Sequence, residues 1–264
     1  LIFILSSFRY VPSLEVVERF THLKELSFPT PFLFPDDEEA HDTYVVDDDR
    51  LQAIDPDLPN TILSSQVLGF DYLRSLTVDE WALPGIPVRI LSSLEELTVC
   101  LAEACEELGL DLVFRHANQL QSLTIYGFIE RSMISQFMAD ADALPALHSF
   151  RLSTDQLVMP EPPESHVLED FFNFIGQRKG LRRLYLRLPS LLFSEEDVHY
   201  FDFIAQLRRL EVFGFHTGLT QVDEHFLHQI TSRLPTTLSA FHLGMDWNGA
   251  SLLPLVSSQL TLCG

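Results

Sequence analysis

Apolar positions recur along this chain in one spacing, L-x-x-L-x-L, and the recurrence predicts its architecture. The central copy lies in Asn118–Phe128 (NQLQSLTIYGF), with Leu120, Leu123 and Ile125. Others are Leu23, Leu26 and Phe28; Leu73, Leu76 and Val78; Leu94, Leu97 and Val99; Leu147, Phe150 and Leu152; Leu181, Leu184 and Leu186; Leu207, Leu210 and Val212; and Leu238, Phe241 and Leu243. The last two apolar positions of each copy alternate with polar ones, the signature of a short half-buried strand.

Most copies follow a segment whose apolar residues repeat near every 3.6 positions, so a helix is expected before each strand. One helix starts at the N-cap Ser13 and runs through Phe20. Others are expected over Ala104–Ala117 (Leu108, Leu112, Val113 and His116), Glu130–Ala143 and Val167–Gln177. A further helix follows Ser194, with Asp197 in a capping-box position, and the last follows Asp223. Gly176 weakens the end of the helix carrying Phe171, Phe172 and Phe174, and Gly180 is a candidate C-cap. Between Val78 and Leu94 the residues Pro84, Gly85 and Pro87 leave room only for a turn or short helix. Leu1–Leu5 reads as a strand of a truncated first unit, and Leu252–Leu262 as the start of one more.

From Leu94 the first leucines fall 26, 27, 34, 26 and 31 residues apart. A helix and then a strand, repeated in one order, give a parallel sheet with the helices on one side, an α/β solenoid in which each unit is stabilised by the next. The expected organisation is one domain over residues 1–264. It is interrupted by the acidic stretch at about 35–50, PDDEEAHDTYVVDDD, which reads as an insertion loop or a docking loop for a basic partner. Asp47, Asp48 and Asp49 lack the spacing of a calcium loop.

The segments LKELSF, YLRSLTV, SLEELTV, QLQSLTI, ALHSFRL, GLRRLYL, QLRRLEV and TLSAFHL resemble leucine-rich repeats of the helix-containing, ribonuclease-inhibitor-like kind. The resemblance implies a horseshoe with a concave parallel sheet. The Asn or Cys such repeats carry after the third apolar position is missing: Tyr126 and Gly127 follow Ile125, and Arg187 and Leu188 follow Leu186. Irregular arrays with this departure and proline-rich loops are similar to the repeat part of fungal F-box proteins. That similarity implies a substrate receptor of a cullin–RING ubiquitin ligase, acting inside the cell in cytoplasm or nucleus. An LP-x-E-type F-box helix is not found before Leu14, so the expectation is a fragment without its adaptor-docking part.

Charge narrows the partners. The 264 residues carry a formal net charge of -21, which disfavours nucleic acid and anionic membrane. Of the 17 basic residues only Lys24 and Lys179 are lysines. The polar positions between the strand leucines are expected to line the concave face, and they change character along the chain. Ser75, Thr77 and Asp79, then Glu96, Thr98 and Cys100, are acidic or neutral. Later positions hold Arg151, Arg183, Arg187 and Arg209 among Tyr126, Tyr185, Phe213 and His242. Arginines beside aromatic rings are the composition of interface hot spots, so these eight residues are the candidate site for a protein or peptide, acidic or phosphorylated. The competing reading pairs the arginines with acids such as Glu96 and Glu211.

Catalytic and cofactor motifs are missing: there is no G-x-S-x-G elbow and no glycine-rich phosphate loop, and no cofactor is expected. His225 and His228 beside Glu224, and His199 near Glu195, Glu196 and Asp197, are incomplete ligand sets, so no metal is expected. The three cysteines Cys100, Cys105 and Cys263 make no disulfide framework. The sequence therefore points to a binding module rather than an enzyme. Its alternatives are a ubiquitin-ligase receptor part and a scaffold or inhibitor-like binder unrelated to ubiquitin.

Overall fold

A computed structural model of the chain describes residues 2–4, 24–27, 72–101, 110–127, 129–130, 143–154, 157–158, 165–188, 195–217 and 224–245. The expected helices over Ser13–Phe20 and most of Glu130–Ala143, the acidic stretch at 35–50 and the segment Leu252–Leu262 lie outside these residues, and so does the position of Phe28.

The strands are β1 (Ile2–Ile4), β2 (Glu25–Ser27), β3 (Ser75–Asp79), β4 (Glu96–Leu101), β5 (Ser122–Gly127), β6 (Ile129–Glu130), β7 (Ser149–Ser153), β8 (Leu157–Val158), β9 (Arg183–Leu188), β10 (Val212–Thr217) and β11 (Ala240–Met245). Nine of them form one parallel sheet in chain order, β1-β2-β3-β4-β5-β7-β9-β10-β11. The short β6 and β8 pair with each other, a ladder that no sequence signal announced and that puts Glu130 in a strand rather than a helix.

Helices fill the crossovers that parallel pairing requires. They are α1 (Val88–Leu91), α2 (Leu110–His116), α3 (Ser165–Gln177) and α4 (Glu224–Ser232), with two 3-10 segments, η1 (Glu80–Gly85) and η2 (Glu195–Gln206). Between β3 and β4 the chain has room only for η1 and the four residues of α1, as Pro84, Gly85 and Pro87 dictate. In α2 Leu110, Val113 and Phe114 are buried, Ala117 follows them into the core and Leu112 packs at its edge, while Leu108 of the expected face lies outside the described residues.

The register turns the sequence repeat into rows. Leu26, Leu76, Leu97, Leu123, Phe150, Leu184, Phe213 and Phe241 lie opposite one another across eight strands, and Val78, Val99, Ile125, Leu152, Leu186, Phe215 and Leu243 form the next row. These rows and the apolar faces of the helices make one continuous core. Among the described residues the helices pack on this face, which fits strands that alternate instead of reading as unbroken apolar runs. Each buried leucine or phenylalanine contributes roughly 1.5–3 kcal/mol by leaving water.

A turn precedes nearly every strand. The amides of Leu120, Leu147, Leu181, Leu210 and Leu238 donate to the carbonyls of Ala117, Leu144, Arg178, Leu207 and Pro235 at 2.9–3.1 Å. Then one carbonyl of each unit accepts two amides of the next. Gln121 O takes the amides of His148 and Ser149, His148 O those of Arg182 and Arg183, and Arg182 O those of Glu211 and Val212. This backbone ladder satisfies turn groups without asparagine side chains. The hydroxyls of Thr237 and Ser239 add donations to Leu210 O and Glu211 O, each at 2.8 Å.

One unit departs from the register that the sequence suggested. In β10 Phe213 pairs with Leu184 and Phe215 with Leu186, so the apolar triplet is Leu210, Phe213 and Phe215, not Leu207, Leu210 and Val212. Leu207 instead follows η2 directly and lies in the core. With this assignment the leucines Leu181, Leu210 and Leu238 fall 29 and 28 residues apart, closer to an even repeat than 26 and 31.

Candidate functional site

The face of the sheet opposite the described helices is built from the polar half of the alternation. Across β2–β11 its rows read Glu25, Ser75, Glu96, Ser122, Ser149, Arg183, Val212, Ala240; then Ser27, Thr77, Thr98, Thr124, Arg151, Tyr185, Gly214, His242; then Asp79, Cys100, Tyr126, Ser153, Arg187, His216, Gly244. At these register positions β2–β4 carry hydroxyl and acidic residue types and the buried Cys100. The described positions of β7, β9, β10 and β11 on this face hold three arginines, two histidines and no carboxylate.

Six of the eight sequence candidates lie on this face: Tyr126, Arg151, Arg183, Tyr185, Arg187 and His242. Two do not. Phe213 is 0% exposed and stacks in the core with Phe215 and Phe241, at ring separations of 6.3 and 5.7 Å, because the β10 register turns it inward. Arg209 sits exposed in the turn before β10 and is not part of the sheet. The residues of β10 that face outward are Val212, Gly214 and His216, which sequence reasoning missed. The signal was present in LEVFGF, whose second leucine-like triplet, Leu210, Phe213 and Phe215, is more apolar than the first.

A stack of rings and a guanidinium draws side chains from β5, β7, β9 and β11 and passes over β10. Arg151 lies over the Tyr126 ring at 5.1 Å and over the Tyr185 ring at 4.8 Å. Tyr185 in turn stacks with His242, at 6.5 Å between centroids and 20° between planes. Gly214 makes this possible. A Cβ there would run into Cδ2 of Tyr185 and stand 2.8 Å from its Cε2, so the ring can lie over the backbone of β10 only where that strand has no side chain. Gly244 is used in the same way by His216, whose Cγ and Nδ1 would both be 3.0 Å from a Cβ. Both rings thus lie low across the next strand, and sandwiching Arg151 removes much of its rotamer freedom before any partner arrives.

Four ion pairs between described residues lie away from this stack. Glu211 faces Arg182 at 3.9 Å, in the turns before the strands, and Glu95 faces Arg74 at 3.5 Å. Asp111 pairs with Arg115 at 3.2 Å and Asp202 with Arg233 at 2.6 Å, both in the helical layer. Glu96 is three strands from Arg183 in the same row, roughly 14 Å at the usual strand spacing, beyond pairing distance. Arg187 makes further interactions within the protein. Glu211 therefore neutralises Arg182 rather than an arginine of the open face.

The other candidates for chemistry form no ligand set among the described residues. Among the described residues no group of three His, Cys, Asp or Glu side chains could hold a metal ion. His199 stacks on Tyr200 at 4.1 Å, and His228 is exposed on α4. Cys100 is a buried free thiol. No helix of the described residues is long and apolar enough to cross a membrane. Comparison of the chain with protein-family models and with curated proteins returned no match.

Proposed function

We propose that this chain is a leucine-rich-repeat horseshoe that binds a protein or peptide on the open, concave face of its sheet, as the substrate-recognition part of an intracellular F-box-type ubiquitin ligase. The observation that carries the binding role is the pre-stacked cation of that face: Arg151 held between Tyr126 and Tyr185, with Arg183 and Arg187 on the adjoining strand. A guanidinium fixed by two rings at an uncovered surface gives up little entropy on binding, which is how a hot spot is built. The consecutive parallel order of nine strands supports the horseshoe. The ubiquitin-ligase role rests on the resemblance of the repeat segments to F-box receptors.

The test is co-purification of the natural full-length protein from its own cells, with the Arg151→Glu/Arg183→Glu double variant beside it. The proposal expects wild type to bring down a substrate protein together with the ubiquitin-ligase adaptor and cullin. The double variant should keep adaptor and cullin but lose the substrate. Substrate capture without adaptor or cullin would contradict the ligase role and leave a repeat scaffold or inhibitor-like binder. Equal substrate capture by the double variant would contradict the open-face site.

A further inference from the structure

The open face changes chemistry across its strands as well as along the chain. At one level the row from β9 to β11 is Arg183, Val212, Ala240, and at the next the row from β7 to β11 is Arg151, Tyr185, Gly214, His242. Charge stands on the β7–β9 side and apolar surface on the β10 side, at two adjoining levels. Arg151 and Arg183 are both exposed, and neither guanidinium has an ion pair or hydrogen bond among the described residues. They sit diagonally on neighbouring strands with the small Ser149 beside both, opposite Arg183 and two residues before Arg151. Val212 is 37% exposed between Arg183 and the exposed Ala240, and the Tyr185 ring lies over the backbone at Gly214. Arg187 and the buried Ser153 lie one level further and take no part.

We infer that this surface takes an extended peptide crossing the strands, with one acidic and one large apolar side chain two residues apart. The carboxylate lies above Ser149, within reach of Arg151 and Arg183. The apolar side chain lies on Val212, Ala240 and the Tyr185 ring. The spacing agrees: the line midway between β7 and β9 is one and a half strand spacings from β10, about 7 Å. Side chains two apart on an extended chain point the same way, about 6.6–6.8 Å from each other. The intervening side chain faces away from the sheet. Charge agrees as well, since no described open-face position of β7, β9, β10 or β11 is acidic. Each half serves the other: the guanidiniums hold the carboxylate by charge-assisted hydrogen bonds, and the apolar side chain keeps water from the edge of that pair, where a lower dielectric strengthens it. The inference deepens the proposed binding role and rests on it.

The experiment is fluorescence anisotropy of the wild-type protein with labelled peptides. Ser-Gly-Glu-Thr-Phe-Gly-Ser amide and Ser-Gly-Phe-Thr-Glu-Gly-Ser amide carry the spaced pair in its two chain directions. Ser-Gly-Thr-Glu-Phe-Gly-Ser amide has the same composition with the pair adjacent, so the two side chains point to opposite sides. Ser-Gly-Glu-Thr-Ser-Gly-Ser amide lacks the apolar side chain. Ser-Gly-Ser-Thr-Phe with a free terminus offers its carboxylate from the chain end. One of the spaced peptides should bind at least about tenfold tighter than each of the last three. Arg151→Ala and Arg183→Ala should each weaken it about tenfold, Val212→Ser about fivefold, and Arg115→Ala on α2 not at all. Circular dichroism and melting of each variant separate lost binding from lost folding. No binding of either spaced peptide, equal binding of the adjacent or phenylalanine-free peptide, tighter binding of the free terminus, or wild-type affinity in Val212→Ser would overturn the inference. If any of these occurs while Arg151→Glu/Arg183→Glu still loses the co-purified substrate, the open-face binding role stands without this occupant.

Discussion

Tyr185 lies low across the sheet because residue 214 has no side chain, and that dependence separates two glycines that look alike in the sequence. Gly127 has φ +107°, and a Cβ there would fall on the carbonyl oxygen of Leu101, a backbone atom that cannot turn away. Gly127→Ala should therefore cost about 1–3 kcal/mol of stability, read as a lower urea midpoint. Gly214→Ala meets only the Tyr185 ring, which can swing outward. It should change the unfolding midpoint little while weakening co-purification of the substrate protein about as much as Arg151→Ala does. A second pair of variants tests the β10 register. Phe213→Ala should destabilise by about 3–5 kcal/mol, and Val212→Ala on the open face by less than about 1 kcal/mol. The reverse order would restore the register read from sequence. The misreading of Phe213 has a simple cause: LRRLEVFGF fits the leucine spacing in two frames, and periodicity alone does not choose between Val212 and Phe215. Burial chooses, because a phenylalanine pair gains more by leaving water than a single valine.

The elements show where periodicity suffices and where it misleads. Strands could be read from alternation, since the described helices pack on one face of the sheet and polar residues mark the other. The helix type between β9 and β10 was also encoded, though less visibly. Val198, Phe201, Ile204 and Leu207 fall every three residues, the period of a 3-10 helix, and Phe201, Ile204 and Leu207 are fully buried. This segment packs on α3 through Phe172, whose ring is parallel to Phe203 at 5.1 Å. Gly176 is explained by that packing. A Cβ there would stand 3.1 Å from Cβ of Phe203, so the glycine allows close approach of the two segments. Gly180, by contrast, does not take the left-handed conformation of a C-cap and lies in the turn before β9. Gly176→Val should destabilise the protein by about 1–3 kcal/mol through overpacking and should leave the apparent affinity of the folded fraction for acidic peptide unchanged. Thermal unfolding with binding measured well below the midpoint checks both. The β6–β8 ladder was not legible, because two-residue strands carry no period.

On the scale of the whole molecule, charge and surface run in opposite senses. A chain of net charge -21 repels acidic partners at long range, yet its open face gathers arginines over β7 and β9. Salt should act on these two effects differently. Screening removes long-range repulsion and also weakens the exposed arginine–carboxylate pairs, whose attraction falls as the Debye length shrinks from about 10 Å at 0.1 M to about 3 Å at 1 M salt. Direct pairing acts at shorter range than repulsion, so affinity for an acidic partner should pass through a maximum at moderate salt instead of falling steadily. A steady fall would mean that the net charge does not reach the site. The acidic-to-basic gradient along the chain was legible as composition. Its consequence, two arginines brought together on neighbouring strands, was not, since Arg151 and Arg183 are 32 residues apart and only strand register aligns them.

The central claim is that the uncovered face of the sheet is where this protein meets its partner. Photo-crosslinking tests it most directly. A benzophenone amino acid at Thr124, which is next to Arg151 on that face, is compared with one at Glu169, exposed on α3 in the helical layer. The account predicts a crosslinked partner from position 124 and none from 169, with the 124 product lost when Arg151→Glu and Arg183→Glu are added. A partner crosslinked from 169, or a 124 product that survives both substitutions, would contradict it.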